Sequence, residues 1–180
     1  MSEQEIKKEN VTQNTSEPRR EFTKNKRRPF RKNKERVKSE FDQKILDIRR
    51  VTRVASGGRR FSFSVSIVIG NRGGKVGIGI GKAGDTSLAI DKAVKSAKKN
   101  MIDVIRTDQN SIAHEIKAKY NSAQMIAMPA KGRGLIAGSA VRDVFELAGL
   151  TDINAKIISG SKNKLNIARA TIKALQTLKK

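Results

Sequence analysis

The stretch FSFSVSIVIGNRGGKVGIGIGKAGD, residues 61–85, decides how the chain folds. Phe61, Phe63, Val65, Ile67 and Ile69 alternate with Ser62, Ser64 and Ser66, the period of a half-buried strand. Phe61 and Phe63 share the apolar face and therefore read as core, not as a platform on which bases stack. Gly70-Asn71-Arg72-Gly73-Gly74 interrupts the run as a turn. Val76, Ile78 and Ile80 then alternate with Gly77, Gly79 and Gly81, a strand whose second face has no side chains. From Asp85 the period changes. Ile90, Val94, Ala97, Met101 and Ile105 recur at steps of three or four, predicting an amphipathic helix over 85–106 capped by Asp85 or Thr86.

Upstream, Lys44 to Val54 is strand-like though irregular, and Ser56-Gly57-Gly58 is a loop signal. Residues 41–106 thus read β-β-β-α. The polar run TDQNSI, 107–112, reads as a linker to a block with a different pattern. In that block Ile116, Ala118 and Tyr120 alternate with charged residues, and Asn121-Ser122 turns the chain into 123–128. A loop at 129–134 precedes a helix with Ala137, Val141, Val144, Phe145 and Ala148 on one face and Gly149 as its stop. Ile153, Ala155 and Ile157 form a short strand, and Leu165, Ala168, Ile172 and Leu175 line a last helix. Residues 113–180 read β-β-α-β-α. The fold class is α+β: two small domains, each with helices on one side of a sheet and the other side left for solvent or a partner.

Charge sets the class of partner. The 180 residues hold 39 Lys+Arg against 17 Asp+Glu, net +22, with one His and no Cys. Self-repulsion of that size fits a polyanionic partner, above all nucleic acid. Without Cys there is no disulfide framework, zinc ribbon or thiol chemistry. The longest apolar run, Met125–Met128, is too short to span a membrane, and the N-terminus lacks the apolar core of a secretory signal. A cytoplasmic chain is expected. Residues 1–40 form a basic extension; 19–38 alone carry 11 basic and 2 acidic residues, with Pro18 and Pro29 nearby and no apolar period. Such a segment is expected to be disordered alone, serving as a phosphate-tracking arm or a solubilising tail.

Three phosphate-binding patterns need their context. Gly79-Ile80-Gly81-Lys82-Ala83-Gly84 spells a dinucleotide fingerprint, but its strand has Gly at every second position where that fold needs branched residues on both faces. The P-loop fails because Gly81-Lys82 is followed by Ala83 rather than Ser or Thr. Val68 to Val76 resembles the loop by which KH domains clamp single-stranded RNA, and a KH-like regulator is the alternative function. That loop joins two helices, whereas both flanks of Gly70 have strand period. Six Phe and one Tyr are few for an aromatic RNA-binding sheet. Lys92, Lys95, Lys98, Lys99 and Arg106 lie off the apolar face of the 85–106 helix, as a solvated face or as phosphate contacts. Lys82 sits just before a helix N-terminus that favours anions. His114, on a predicted strand, is the only imidazole, and Asp143 and Glu146 read as surface charges. No catalytic, metal or cofactor constellation is found, so no enzyme, no cofactor and no small-molecule substrate are expected.

Four motifs in order carry a resemblance: RVASGGRRFSF (53–63), VGIGIGKA (76–83), AKGRGLIAGSAVRDVFELAG (130–149) and GSKNKLNIARATIKAL (160–175). Together they look like the small-ribosomal-subunit protein five family, bacterial type, over about residues 43–178. The resemblance implies a first domain similar to a double-stranded-RNA-binding domain lacking its first helix. It further implies binding to small-subunit ribosomal RNA, contact with the fourth and eighth small-subunit proteins, and roles in assembly and decoding accuracy. It also implies a place beside the path by which messenger RNA enters the subunit. Carried over by residue, RNA contact falls first on Arg49, Arg50, Arg53, Ser56, Gly57, Gly58 and Arg59. Arg60 joins them, although the family pattern has an apolar residue there. Arg72, Lys75 and Lys82 extend this set. Gly77, Gly79 and Gly81 let RNA or a neighbouring element approach the backbone, or pack tightly against the helix. Lys162, Asn163, Lys164, Asn166 and Arg169 match the last motif, with Asn163 equally suited to capping a helix. Lys131, Arg133, Gly134 and Arg142 match the region facing the fourth protein.

Overall fold

The computed structural model describes residues 40–178, so the expected basic arm at 1–40 lies outside the described residues except for Glu40. The chain runs β1 (Asp42–Ala55), β2 (Gly58–Gly70), β3 (Lys75–Ala83), α1 (Thr86–Lys99), β4 (Met101–Asp103), β5 (Ile116–Tyr120), β6 (Ala123–Pro129), β7 (Leu135–Ile136), α2 (Ser139–Ala148), β8 (Ile153–Ile157) and α3 (Lys164–Gln176). The first four strands make one antiparallel sheet in the order β1-β2-β3-β4. The others make a second sheet in the order β5-β6-β8-β7, in which only β7 and β8 run parallel. The α+β class and both helix-on-sheet halves are as expected; β4 and β7 are additional short strands.

The β3 glycines position everything around them. Val65, Ile67 and Ile69 of β2 and Gly77, Gly79 and Gly81 of β3 share the face on which α1 lies. A Cβ at any of these three glycines would come within 3.0 Å of a backbone carbonyl oxygen of α1, that of Ala97, Ala93 or Ala89 respectively. The helix answers with its smallest residues: Ala89, Ala93 and Ala97 are its buried ones, with Ile90 and Val94 flanking them. This corrects two expectations. Gly77, Gly79 and Gly81 offer no backbone to RNA, because α1 occupies the space. The helix also stops at Lys99, seven residues early: the Asn100 N–H bonds back to Ala97 O at 3.1 Å, and Met101 and Ile102 pair with Gly77 and Val76. A strand edge at β3 outcompetes two further turns of helix. Asp85 is the N-cap, but by backbone alone, with no side-chain cap bond.

Strands flank Gly70 on both sides, so the 70–75 segment is a hairpin connection and the KH reading fails. Its backbone is anchored elsewhere. Asn71 Oδ1 accepts from the N–H groups of Gly73 and Lys75, and Arg72 N donates to Leu147 O of α2 at 2.9 Å. A Cβ on Gly70 would collide with the same Leu147 carbonyl. The second face of the first sheet is therefore not free, as the sequence suggested, but packed on α2. Val68, Val76, Ile78 and Val104 join Val144, Phe145 and Leu147 in one continuous core, with Leu46 added by a bulge between Ile45 and Asp47. The 107–112 segment is built into this body too. Ser111 and Ile112 are buried, Ser111 Oγ donates to Asp152 O at 2.6 Å, and Thr151 N donates to Asn110 O at 2.9 Å.

In the second half, Ile116, Met125, Ala127, Ile153 and Ala155 face α2 and α3. Gly149 ends α2 at φ 78°, a conformation for which glycine has no steric penalty. His114 lies exposed in a bend before β5, not on a strand.

Gly79→Ala should lower unfolding free energy by about 1–3 kcal/mol or more, because backbone on both sides must give way. Gly84→Ala, which meets nothing within 4 Å, should change it by less than ~0.5 kcal/mol. Urea unfolding of the two variants beside the parent chain checks the contrast.

Candidate nucleic-acid interface

β3 pairs with β2 only between Phe63 and Gly70. Beyond that, the β1–β2 hairpin runs on as a two-stranded ribbon through Thr52↔Phe61, Arg53↔Arg60 and Ala55↔Gly58, turning at Ser56-Gly57. From Thr52 to Phe61 every residue is exposed. The register sorts the arginines by face: Arg50 and Arg59 lie on the side of Phe61, Arg49, Arg53 and Arg60 on the side of Ser62. Phe61 is a correction. It is 51% exposed, with the Arg50 guanidinium 4.6 Å from its ring centroid, while Phe63 is half-buried against the α1 core. Period gave the face correctly but not where the third strand ends.

Arg49 is held by Asp47 at 2.6 Å. No ion pair or side-chain hydrogen bond holds Arg53, Arg59 or Arg60 among the described residues. From Arg49 to Arg60 the chain has five arginines and no acidic residue. Mutual repulsion on an otherwise unsupported ribbon is offset when phosphates lie between the charges.

The other expected residues divide by how far they are already engaged. Arg72 pairs with Asp42 at 2.9 Å and Lys75 approaches Asp103 at 3.9 Å, both at the surface. Lys82 is exposed, and its carbonyl accepts from Lys92 Nζ at 3.3 Å. Lys92, Lys95, Lys98 and Lys99 are exposed on α1, Lys98 lying over the Phe41 ring. Arg106 is not on that helix; it donates to Gly73 O at 3.1 Å and Asn110 Oδ1 at 3.3 Å and so braces the 70–75 turn. At α3, Asn163 Oδ1 accepts from Leu165 N at 3.1 Å and is the helix cap. Lys162 and Lys164 flank it, exposed, and the first turn has no acidic residue. Two ammonium groups beside a helix N-terminus leave a positive spot that an anion would relieve. Arg169 points elsewhere, donating to Tyr120 Oη at 2.9 Å. Asn166 is half-buried.

Lys131 and Arg133 are exposed in a loop fixed by Gly134 N, which donates to Asp152 Oδ1 at 3.2 Å. Arg142 is exposed on α2 and, with Arg72 and Arg106, borders a hollow of ≈ 520 Å³. An ion-pair cluster in this region has no signature in the local sequence pattern. Asp143 and Glu146 are not idle surface charges: Lys44 of β1 reaches both, at 3.3 Å and 2.6 Å, because one helix turn sets them side by side. Its hydrogen bond to Lys44 pulls the Glu146 carboxyl below its ordinary range, against desolvation by burial, and the same bond raises Lys44.

A depressed carboxylate stabilises the fold above its ordinary range and loses that effect as pH falls through its lowered range; a raised lysine loses its part only in strong alkali. Lys44→Met should therefore cost up to ~1 kcal/mol at neutral pH, the usual limit for exposed pairs. The cost should shrink in acid, as the Glu146 carboxyl takes up its proton, and thermal unfolding across pH would show it.

Two α+β halves that share a core, holding their surplus arginines and lysines outward on a ribbon and loops, make a basic binding scaffold of the ribonucleoprotein kind. Residues 41–105 match the family model described as ribosomal protein S5, N-terminal domain, and residues 118–180 match that of its C-terminal domain. A small ribosomal subunit protein uS5 of Campylobacter jejuni is 48% identical over 143 residues, 79% of this chain and 96% of that protein. The uS5 of Mycoplasmopsis agalactiae is 49% identical over 142 residues, covering 78% of this chain but 61% of its own length. The uS5 of Mesomycoplasma hyopneumoniae is 44% identical over 143 residues, 79% of this chain and 66% of that protein. The chain belongs to the ribosomal protein S5 family, bacterial type: a structural, non-enzymatic component of the small ribosomal subunit.

Proposed function

We propose that this chain binds small-subunit ribosomal RNA chiefly through the ribbon Arg49–Arg60, and that this contact supports subunit assembly and decoding accuracy. The observation that carries the reading is the ribbon itself, two strands wide, on which the side chains of Arg53, Arg59 and Arg60 have no ion pair or side-chain hydrogen bond among the described residues. Recognition is of phosphates and RNA shape, because arginine dominates and exposed aromatic side chains are few. Ser56, Gly57 and Gly58 at the tip let the backbone approach closely, and a Cβ at either glycine would meet nothing within 4 Å. Lys162 and Lys164, beside the capping Asn163, form a second phosphate contact at the start of α3, and Lys82 a third. Lys131, Arg133, Gly134 and Arg142 face the fourth small-subunit protein. The eighth is a further neighbour, and the chain lies beside the path by which messenger RNA enters. It works in the cytoplasm, within the ribosome.

Arg53→Ala combined with Arg59→Ala should weaken binding to small-subunit RNA and reduce the slope of log K against log salt by about one unit per arginine lost. A slope unchanged from the parent chain would remove the ribbon from the contact set. Sedimentation of tagged chain across a salt series supplies the companion test. Retention on small subunits after high-salt washing is expected; loss at moderate salt with subunits intact would overturn an integral role.

A further inference from the structure

A hollow of ≈ 530 Å³ opens between β4 and α3, at the edge of the first sheet opposite the ribbon strand β1. Sites for small ligands run to roughly 300–1,000 Å³, so this one has room for a single nucleotide. Ile78, Ile102 and Ile172 give it an apolar lining that belongs to the shared core or packs on it. Tyr120 of β5 and Arg169 of α3 add a planar pair. The guanidinium carbon lies 5.5 Å from the ring centroid, and Arg169 Nη1 donates to Tyr120 Oη at 2.9 Å. Two features of the local fold supply the polar members. Asn100 ends α1 at the hollow because Met101 leaves the helix to pair with Gly77. Lys173 and Gln176 follow Arg169 at steps of four and three, so one face of α3 brings all three to the hollow. None of the lining residues is acidic, and the exposed carboxamides of Asn100 and Gln176 make no hydrogen bond among the described residues. The hollow beside Arg142 differs, since there Arg106 is engaged by Gly73 and Asn110, and Glu146 by Lys44.

We infer that the hollow between β4 and α3 takes one unpaired nucleotide of the small-subunit RNA. Its base lies against the apolar lining and the Tyr120–Arg169 pair, its edge meets Asn100 and Gln176, and its phosphate lies toward Lys173. Bases splayed out of an RNA helix stack on aromatic rings or guanidinium planes and hydrogen-bond along their edges. A carboxamide offers a donor and an acceptor side by side, the pattern that a base edge answers. A purely apolar ligand would leave both carboxamides and both cations without partners. The bond that fixes Arg169 on Tyr120 also sets the planar pair in advance, which lowers the entropy lost on binding. The inference rests on the RNA-binding reading for the source of the nucleotide alone. It adds contact with one base, at a place remote from the ribbon, to a recognition otherwise made of phosphates and shape.

The test uses the full chain, bound to small-subunit RNA and within assembled small subunits. Ultraviolet irradiation of the subunits should attach a nucleotide to a peptide carrying Met101 or Tyr120, read by its added mass. Asn100→Ala combined with Gln176→Ala should lower both that yield and the RNA affinity by at least about fivefold. The melting temperature and the slope of log K against log salt should stay at the parent values, because no charge is removed. If the double variant does not fold, Lys173→Glu replaces it and should lower the yield likewise. Any of three results overturns the proposal: no nucleotide on either peptide, unchanged affinity in the folded variant, or attachment of Tyr120 to a protein in place of RNA. Saturable binding of adenosine monophosphate by the free chain, with no RNA attached in subunits, overturns RNA as the source. The ribbon reading fails on a different result, an unchanged salt slope in its own arginine variant, and the hollow stands if affinity still falls in the carboxamide variant.

Discussion

Contact between the glycine face of β3 and the backbone of α1 is the constraint from which the rest of the arrangement follows. A helix normally stands off a sheet by the length of two side chains. Here Gly77, Gly79 and Gly81 meet Ala89, Ala93 and Ala97, and almost nothing separates the two backbones. Close packing of this kind tolerates little volume change. It also leaves the larger residues of β2, Val65, Ile67 and Ile69, to fill the remainder of that side. Gly70 repeats the device on the reverse of the same sheet, where Leu147 of α2 comes in equally close. One sheet thus receives a helix from each side, and the two halves share a core.

Charge is distributed to suit this packing. The buried set is aliphatic apart from Phe145 and a few hydroxyls, and Thr171 satisfies its own by donating to Ile167 O. The few acids of the folded region are spent near the body, where Asp42, Asp47, Asp143 and Glu146 hold Arg72, Arg49 and Lys44. Much of what remains uncompensated lies on the ribbon, on α1 and beside the start of α3. A large net charge is then compatible with folding because the uncompensated charges stand in solvent, away from the core.

Much of the fold was legible in the sequence, since strand and helix periods are written in single residues. β2, β3, α2 and α3 were all visible, including Gly149 as a stop. The length of α1 was not, because Met101 and Ile105 happen to continue its period while the strand edge that captures 101–103 belongs to β3. Phe61 misled for a related reason: alternation assigns a side, and only the partner strands decide whether that side is covered. The polar 107–112 run looked like a linker because Ser111 bonds to a carbonyl 41 residues away, a fact no local window contains. At the candidate site, the arginines were read directly. The glycines were not, as absent side chains suit a helix and a phosphate equally well.

The bracing around Arg106 and the 107–112 segment has a mechanical side. With Arg106 tied to the 70–75 turn, Ser111 to the loop before β8, and α2 seated on the first sheet, no hinge divides the chain at its midpoint. The β1–β2 ribbon is then a cantilever on a stiff mount. Force applied at its tip is not absorbed by flexing between the halves. It passes along β1 to Lys44 and from there into α2, so that whatever grips the tip also orients the far side of the molecule.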